Sequence, residues 1–389
     1  MTTVEPGTPI FTAETQQDPY PLYAQLRESA PVYVEPQFGT YVLTRFDDVY
    51  GALKDHATFS SARGIAPGLS DSGAIMATMI TSDPPRHTRL RALVNSAFTP
   101  RMIGRIEPWM RQVVGELLAG IEDDTDIVES LTYPLPVMVI ARLLGIPESD
   151  HAQFKVWSDA VVGVTDFGVA DTARDSIKEM FAYFSDVIAS RSTEPRNDLI
   201  SSVVHAEIDG EKLNERELLG FCLLLLVAGN ETTTNLLGNM LAVLVSDPTL
   251  QQQLRDDPSQ IPAAVEETLR YDSPVQALWR RTTRPVEMHG VSIPEDSQVL
   301  MGYAAANRDP RMFADPDTFR LDRQLNRHVA FGFGIHYCLG APLARAEARI
   351  AIEELLRRYR RLGPGPTASA RVPSSLLRGF SRLSITCEE

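Results

Sequence analysis

The spacing of apolar and polar residues predicts helices along most of the chain. Apolar residues recur at the intervals of an amphipathic helix, in segments that often open at proline or aspartate, both of which are favoured at helix N-termini. Helices are predicted at 22–30, 84–98, 100–120, 134–145, 150–162, 171–192, 261–271 and 341–361.

The longest predicted helix begins after Asn214, a residue type that caps helix N-termini, and continues to about Ser246. Its first half, 218–229, is apolar on nearly every side, so we expect the helix to cross the protein interior over about 45 Å. The apolar run is shorter than the roughly 20 residues that span a bilayer. We therefore expect a buried helix and no membrane association.

Strands are predicted in two regions. Period-two alternation predicts a β-hairpin formed by 32–36 and 40–46, and further strands within 280–303. The segment 61–82, rich in glycine, serine and alanine, is expected to be a long mobile loop, which in a compact domain is usually functional. The pattern as a whole predicts a mainly α fold with small β-sheets (α+β).

The composition restricts the class of protein. The 389 residues include 37 lysines and arginines against 51 aspartates and glutamates, and the formal net charge of −14 excludes a general nucleic-acid binder. The three cysteines stand far apart, which excludes a disulfide framework and a paired-cysteine zinc site. No secretion signal or linker is visible, so we expect a cytoplasmic protein with a single domain, 1–389.

The strongest chemical signal is the segment 331–340, Phe-Gly-Phe-Gly-Ile-His-Tyr-Cys-Leu-Gly. Its glycines permit positive φ angles and let the backbone approach a flat ligand. Cys338 stands at the entrance to the last predicted helix, where the helix dipole and backbone N–H groups favour a thiolate. A thiolate in this position is a good axial ligand for haem iron. Cys222 and Cys387 are expected to be small buried apolar residues.

The pattern F-x-x-G-x-H-x-C-x-G resembles the haem-binding signature of the cytochrome P-450 family of haem-thiolate monooxygenases. The resemblance implies the cytochrome P-450 fold, with haem b between the long central helix and the C-terminal helix, and with Cys338 as the axial thiolate on iron. It also implies that Phe331 packs against the proximal sulfur and that Gly332 and Gly340 bind the cofactor. An ordinary core phenylalanine is the alternative for Phe331.

In the central helix, the segment 228–233 resembles the acid–alcohol pair in the oxygen-binding groove of this family. The resemblance implies that Ala228 and Gly229 adjoin the cofactor, and that Glu231 and Thr232 relay the protons that cleave the O–O bond. The Thr232 hydroxyl can bond to the Ala228 carbonyl one turn back, and Gly229 lets the helix approach the porphyrin. A solvated charge is the alternative for Glu231.

Haem carries two propionates, which need cationic partners when they are buried. By resemblance these partners are His87 and Arg91, one helical turn apart, together with Arg280 and His336. Arg281 competes with Arg280 for this role. The remaining histidines have no such context and are expected to be ordinary surface or core residues: His56, His151, His205, His289 and His328.

Glu267 and Arg270 lie on one face of the helix at 261–271 and resemble the E-x-x-R motif of the family, with Arg323 as its third member. The resemblance implies a buried structural ion network on the proximal side. Loss of one charge from such a network costs about 3–5 kcal/mol, because its partner is left buried and unpaired.

The resemblance implies a monooxygenase that inserts one oxygen atom of dioxygen into a small hydrophobic organic substrate, by hydroxylation or epoxidation. No G-x-G-x-x-G follows a predicted strand, so electrons are expected from a ferredoxin and an NAD(P)H-dependent ferredoxin reductase. An acidic ferredoxin would dock on a cluster of arginines near the proximal side, although an ordinary solvated face is the alternative. The arginines are Arg101, Arg105, Arg111, Arg345 and Arg349. We expect a monomer.

Substrate contacts are expected, by resemblance, from segments whose sequences the chemistry constrains least. They are 61–82, 150–192, the central helix before Ala228, 275–279 and 374–380. We predict that the Trp279 ring narrows the substrate pocket. Terpenoid, macrolide, fatty-acid and aromatic substrates all remain open. Two other functions also remain: a peroxygenase, which would not need the acid–alcohol pair, and a non-catalytic haem sensor or carrier, which would form no oxidised product.

Overall fold

Long helices and short strands follow one another in nearly the order that the periodicity predicts. The computed structural model describes residues 7–65, 78–122, 124–162, 171–324 and 326–389. The helices are α1 (Ala13–Gln17), α2 (Tyr20–Ser29), α3 (Phe46–Lys54), α4 (Arg86–Ala97), α5 (Pro100–Ala119), α6 (Pro134–Leu144), α7 (His151–Val162), α8 (Asp171–Thr193), α9 (Leu199–Val204), α10 (Glu215–Gly229), α11 (Glu231–Ser246), α12 (Pro248–Asp256), α13 (Ile261–Tyr271), α14 (Tyr303–Asn307) and α15 (Ala341–Arg358).

The strands are short and lie in four regions of the chain, 32–60, 124–126, 278–301 and 361–388. They are β1 (Val32–Glu35), β2 (Thr40–Leu43), β3 (Phe59–Ser60), β4 (Asp124–Asp126), β5 (Leu278–Thr282), β6 (Val286–Met288), β7 (Val291–Ile293), β8 (Gln298–Met301), β9 (Arg361–Pro364), β10 (Ala370–Arg371), β11 (Phe380–Arg382) and β12 (Ser384–Glu388). Within the described ranges they form a five-stranded sheet, β1-β2-β8-β5-β3, and the smaller sheets β4-β12-β9, β6-β7 and β10-β11.

The predicted hairpin and fold class are confirmed. β1 and β2 pair antiparallel, with Val32 opposite Leu43, and β2 continues the sheet by pairing parallel to β8. The fold is mainly helical with small sheets. Among the residues that the structure describes, no helix has both the length and the apolar character needed to cross a membrane.

The central helix predicted after Asn214 consists of two helices. The Asn214 side chain accepts from the Glu217 N–H at 3.0 Å, and the Glu217 carboxylate accepts from the Asn214 N–H at 3.1 Å. This capping box confirms the predicted start. The prediction of one continuous helix is wrong, because α10 ends at Gly229 and α11 begins at Glu231. The apolar run gives way to polar residues at 230–235, but this change in composition does not show that one helix ends there and another begins.

Several predicted helix ends differ from the observed ones by one to three residues, and two of these differences have a clear physical reason. The helix predicted at 341–361 ends at Arg358, because the next residue is extended and Arg361–Pro364 forms β9 against β12. The helix predicted at 84–98 begins only at Arg86. It opens with consecutive prolines, and a residue that precedes proline disfavours the helical conformation.

One described end of the segment 61–82 is bound to the five-stranded sheet, and 66–77 lies outside the described residues. The Trp279 N–H donates to the Ile65 carbonyl oxygen at 3.0 Å, which ties the first end to β5. The expectation of a mobile loop concerns mainly the residues that the structure does not describe.

The largest apolar cluster joins most of the helices. Within it α11 packs against α13 and α15, so the helices that carry Thr232, Glu267 and Arg345 share one core. A second cluster lies between the five-stranded sheet and α3, and a third lies under the N-terminal segment. The loop that precedes α15 contacts α3, and α13 packs against α15 itself.

Candidate functional site

The segment 331–340 forms a loop that leads directly into α15. The Cys338 N–H donates to the Phe331 carbonyl oxygen at 2.9 Å, which holds the two ends of the loop together. Burial raises the pKa of the Cys338 thiol, and the N–H groups of Gly340 and Ala341 oppose this effect only in part. The helix N-terminus by itself therefore does not make the sulfur a thiolate. A metal cation deprotonates a thiol that coordinates it.

Glycine is required in this loop at specific places. Gly332 and Gly334 have φ angles of 69° and 72°, in the left-handed region. A Cβ atom on Gly334 would lie 2.6 Å from the Leu53 carbonyl oxygen, so this glycine also permits the loop to pack against α3. Gly340 has a φ of −79° and does not need the conformational freedom expected of it.

A cluster of cationic side chains lies beside the loop. The rings of His87 and His336 are 4.4 Å apart between centroids, and His87 is buried. Burial, followed by the charges of Arg280, His87 and Arg91, lowers the pKa of His336 to about 3. Burial also lowers the pKa of His87 and that of Arg91. Four residues from distant parts of the sequence are thus brought together as predicted.

This cluster fits the propionates that the resemblance implies. Both ring nitrogens of His87 and Nε2 of His336 are buried and have no hydrogen-bond partner within the described part of the chain. Buried polar groups are normally hydrogen-bonded, and buried cations are normally paired with anions. Two carboxylates would satisfy these groups. His56, expected to be an ordinary surface or core residue, lies near enough for its charge to lower the pKa of both histidines.

Arg280, and not Arg281, faces this cluster. Adjacent residues of β5 point to opposite faces of the sheet, and Arg281 binds the exposed Asp296 with two hydrogen bonds of 2.7 and 3.1 Å. The Trp279 ring also points away from the Arg280 face. It packs 6.0 Å from the Phe11 ring, in the apolar cluster under the N-terminal segment. The prediction that Trp279 narrows the substrate pocket is therefore wrong.

The predicted acid–alcohol pair lies at the break between α10 and α11. The Thr232 hydroxyl donates to the Ala228 carbonyl oxygen at 2.7 Å, as expected from their spacing. Asn230 turns its side chain away from the helix axis and donates from Nδ2 to Ser158 Oγ on α7 at 2.6 Å. Glu231 is then the first residue of α11. The break at Asn230 therefore lies between Ala228 and Thr232, and the hydrogen bond from the Thr232 hydroxyl to the Ala228 carbonyl oxygen spans it.

Gly229 lies close to a neighbouring helix. A Cβ atom at this position would lie 2.7 Å from Ile140 Cδ1, a side-chain atom of α6. The end of α10 therefore packs closely against α6, and a larger residue at position 229 would make the Ile140 side chain move. The expected approach of Gly229 to a porphyrin stays a prediction.

Glu267 is the centre of a buried ion network on α13. Its carboxylate accepts from Arg270 at 2.7 and 2.8 Å and from Arg323 at 2.9 and 3.0 Å. The Arg320 N–H and Asn326 Nδ2 donate to the same carboxylate at 2.9 and 3.1 Å. The side chains of Glu267 and Arg270 are 1% and 0% exposed. The geometry of the predicted three-residue network is confirmed.

A second ion network beside the loop was not predicted. Arg345 donates to Glu266 from Nε at 2.6 Å and from Nη2 at 2.9 Å, and His328 Nε2 lies 3.2 Å from Glu266 Oε2. The Arg345 guanidinium lies 4.5 Å from the centroid of the Phe331 ring. The sequence interpretation gave His328 no role and placed Arg345 on a docking surface. The sequence indicated such a role only through the positions of His328 and Arg345 on either side of the glycine-rich loop.

Ion pairs compensate most of the arginines predicted to form that docking surface. Arg345 is held by Glu266, as above. Arg111 and Arg349 contact carboxylates of α5 and α15 at 2.6–3.2 Å: Glu107, Glu353 and Glu354. Arg101 and Arg105 are exposed. The positive surface is therefore smaller than the sequence suggests.

The other cysteines lie in the apolar core. Cys222 and Cys387 are each 2% exposed, and burial raises the pKa of the Cys222 thiol to about 12. Their predicted character as small buried residues is confirmed. Burial is the main influence on the pKa of Cys222, whereas the charges of Arg91 and Arg345 also act on the Cys338 thiol.

Two of the segments predicted to contact substrate are hydrogen-bonded to each other. The Gln276 N–H donates to the Leu376 carbonyl oxygen at 2.7 Å, and the Arg378 N–H donates to the Pro274 carbonyl oxygen at 2.8 Å. The connection 163–170 between α7 and α8, which the prediction also includes, lies outside the described residues.

Comparison with known proteins points to one family. The family model described as Cytochrome P450 matches residues 166–367. Cytochrome P450 109 of Bacillus spizizenii is 44% identical over 347 residues, which cover 87% of this chain and 84% of that protein. Erythromycin C-12 hydroxylase of Saccharopolyspora erythraea is 41% identical over 345 residues, which cover 87% of this chain and 86% of that enzyme.

Solved structures agree over nearly the whole chain. Cytochrome P450 CYP109Q5 from Chondromyces apiculatus has a TM-score of 0.92 and 39% identity, with 98% of both chains covered. CYP109E1 from Bacillus megaterium, in complex with testosterone, has a TM-score of 0.87 and 37% identity, with 96% of this chain and 100% of that chain covered.

Proposed function

The chain belongs to the cytochrome P450 family of haem-thiolate monooxygenases, and on this premise we propose that Cys338 is the axial ligand of its haem iron. Haem iron with an axial thiolate supplies the binding and reductive cleavage of dioxygen. The observation that carries the proposal is the buried cationic cluster with unpartnered nitrogens beside the Cys338 loop. Cys222 and Cys387 lie instead in the largest apolar cluster.

His87, Arg91, Arg280 and His336 bind the two haem propionates in this proposal. Burial and the charge of Arg91 hold the pKa values of His87 and His336 below their ordinary range, and the charge of Arg280 acts on His336 as well. Carboxylates placed among them would complete their hydrogen bonds and offset their mutual repulsion. The cluster thereby orients the cofactor and selects for a group with two acidic side chains.

Glu231 and Thr232 hold and transfer protons. The Thr232 hydroxyl has one donor, which it gives to the Ala228 carbonyl oxygen, and its lone pairs remain to accept from a water molecule. Glu231 follows the break directly and offers a titratable carboxyl group one residue away. Positioned donors and acceptors of this kind act as general acids, provided that they are correctly placed.

The substrate is a small hydrophobic organic molecule that is hydroxylated or epoxidised. Two relatives support this class, since one is named erythromycin C-12 hydroxylase and another was solved in complex with testosterone. Electrons come from a ferredoxin and an NAD(P)H-dependent ferredoxin reductase, and the exposed Arg101 and Arg105 supply attraction for an acidic partner. The enzyme acts as a monomer with a single domain, 1–389.

A spectral titration tests this function. The purified ferric protein is titrated with a panel of terpenoids, macrolides, steroids, fatty acids and aromatic natural products, and the haem absorption band is followed. A saturable shift from low spin to high spin, followed by formation of an oxygenated product with a ferredoxin system and NAD(P)H, is the expected result. Ligands that shift the band without any oxygenated product would contradict the catalytic assignment.

A further inference from the structure

The Phe331 ring lies among side chains that one carboxylate holds in place. The Arg345 guanidinium is 4.5 Å from the ring centroid, and the rings of His328 and Tyr337 are 6.1 and 6.4 Å away. Glu266 accepts from Arg345 through both oxygens, at 2.6 and 2.9 Å, and contacts His328 at 3.2 Å. Glu266 therefore fixes two of the groups around the ring.

The same arginine reaches the residue next to the cysteine. Arg345 Nη1 donates to the Tyr337 hydroxyl at 3.2 Å, and Tyr337 directly precedes Cys338. Burial favours a neutral Glu266, yet hydrogen bonds from Arg345 and His328 outweigh it and lower the pKa of Glu266 to about 2. At neutral pH the loop thus adjoins an ion pair, and Arg345 is the member that contacts the loop.

We propose that Glu266 and Arg345 are positioning residues that set the reduction potential of the iron bound by Cys338. Arg345 presents a positive charge to the proximal side, and Glu266 fixes that charge against Phe331 and compensates it. This inference rests on the proposed assignment of Cys338 as the axial ligand. A cation near the metal favours the reduced iron and an anion favours the oxidised iron, because the oxidised state carries one more positive charge.

The two charges therefore have opposite effects on the potential. Removal of the Glu266 charge leaves Arg345 uncompensated and raises the potential, whereas removal of the Arg345 charge lowers it. A role confined to holding Phe331 would act differently, because loss of either partner would loosen the ring in the same way. The sign of the shift thus separates an electrostatic role from a structural one.

The experiment is a spectroelectrochemical titration of the haem-loaded full-length protein. The variants are Glu266→Gln, Arg345→Gln and the double variant, with Arg105→Gln as the control. Arg105 is exposed, so water and salt screen its charge and its removal is expected to leave the potential unchanged. We expect an upward shift for Glu266→Gln, a downward shift for Arg345→Gln and an intermediate value for the double variant.

Shifts of the same sign in both single variants, or no shift, would overturn the inference. Arg345→Lys provides a test that does not depend on the folding of Glu266→Gln. It keeps the charge and loses the paired hydrogen bonds, so its potential should stay near that of the unmodified protein. A shift as large as that of Arg345→Gln would again overturn the electrostatic role. If the unmodified reduced protein lacks the carbon monoxide spectrum of a thiolate ligand, the assignment of Cys338 itself fails. A normal spectrum with unshifted potentials rejects only the present inference.

Discussion

Asn230 Nδ2 donates to Ser158 Oγ at 2.6 Å and thereby joins the break in the central helix to α7. The two residues are 2% and 1% exposed, so water does not compete for this hydrogen bond. Glu231 follows Asn230 directly, and Thr232 bonds back across the break. The position of α7 is therefore linked to that of the proposed proton-transfer residues.

The Asn230–Ser158 hydrogen bond predicts energetic coupling between α7 and the central helix. In a double-mutant cycle of Asn230→Ala and Ser158→Ala, we expect a coupling of about 1 kcal/mol in the free energy of unfolding, typical of a buried neutral hydrogen bond. Urea denaturation of the haem-loaded protein measures it. Strictly additive losses would show that the two side chains do not interact.

Removal of the Thr232 hydroxyl is expected to uncouple reductant consumption from product formation. In Thr232→Ala the hydroxyl that bonds to the Ala228 carbonyl oxygen is lost, and with it a group that places protons. We expect several-fold less product per NAD(P)H and correspondingly more hydrogen peroxide. Thr232→Ser keeps the hydroxyl and should restore most of the coupling. Unchanged coupling in Thr232→Ala would remove Thr232 from the proton path.

The neighbouring arginines of β5 provide a matched pair for the proposed propionate cluster. Arg280 is buried beside His336, whereas Arg281 binds the exposed Asp296. Loss of a charged hydrogen bond costs about 1.5–3 kcal/mol, so Arg280→Gln should release haem roughly ten- to a hundred-fold faster to an excess of a haem-accepting protein. Arg281→Gln should release it at nearly the original rate. Equal acceleration in both variants would contradict the assignment of Arg280.

The Glu267 network is expected to be one of the main determinants of stability. Glu267→Gln leaves Arg270 and Arg323 buried with too little negative charge, at a cost of about 3–5 kcal/mol in the free energy of unfolding. A control with the same i, i+3 spacing is the pair of Asp175 and Lys178, whose side chains are 79% and 77% exposed. Asp175→Asn should cost less than about 1 kcal/mol. Similar losses of stability in both variants would contradict the role of burial.

Features that depend on neighbouring residues could be predicted from the sequence. The Asn214 cap depends on Glu217 one turn later, and the Thr232 hydrogen bond depends on Ala228 one turn earlier. The family motif also predicted the network around Glu267, although Arg323 is distant in sequence. In each case the local spacing, or the motif, specified which atoms meet.

Features that depend on packing between distant segments could not be predicted. Glu266 and Arg345 meet because α13 lies against α15, and the sequence of neither segment indicates that the two helices pack together. The break at Asn230 escaped prediction because its partner Ser158 lies on another helix. The orientation of Trp279 is different, since alternation along β5 places it opposite Arg280 and the sequence contained that information.

The carbon monoxide difference spectrum of the reduced protein tests the central assignment most directly. Haem with an axial thiolate has a characteristic spectrum, which we predict for the unmodified protein and for Cys222→Ala. The spectrum should be lost in Cys338→Ser. Its persistence in Cys338→Ser, or its absence from the unmodified protein, would contradict the assignment of Cys338 as the ligand of haem iron.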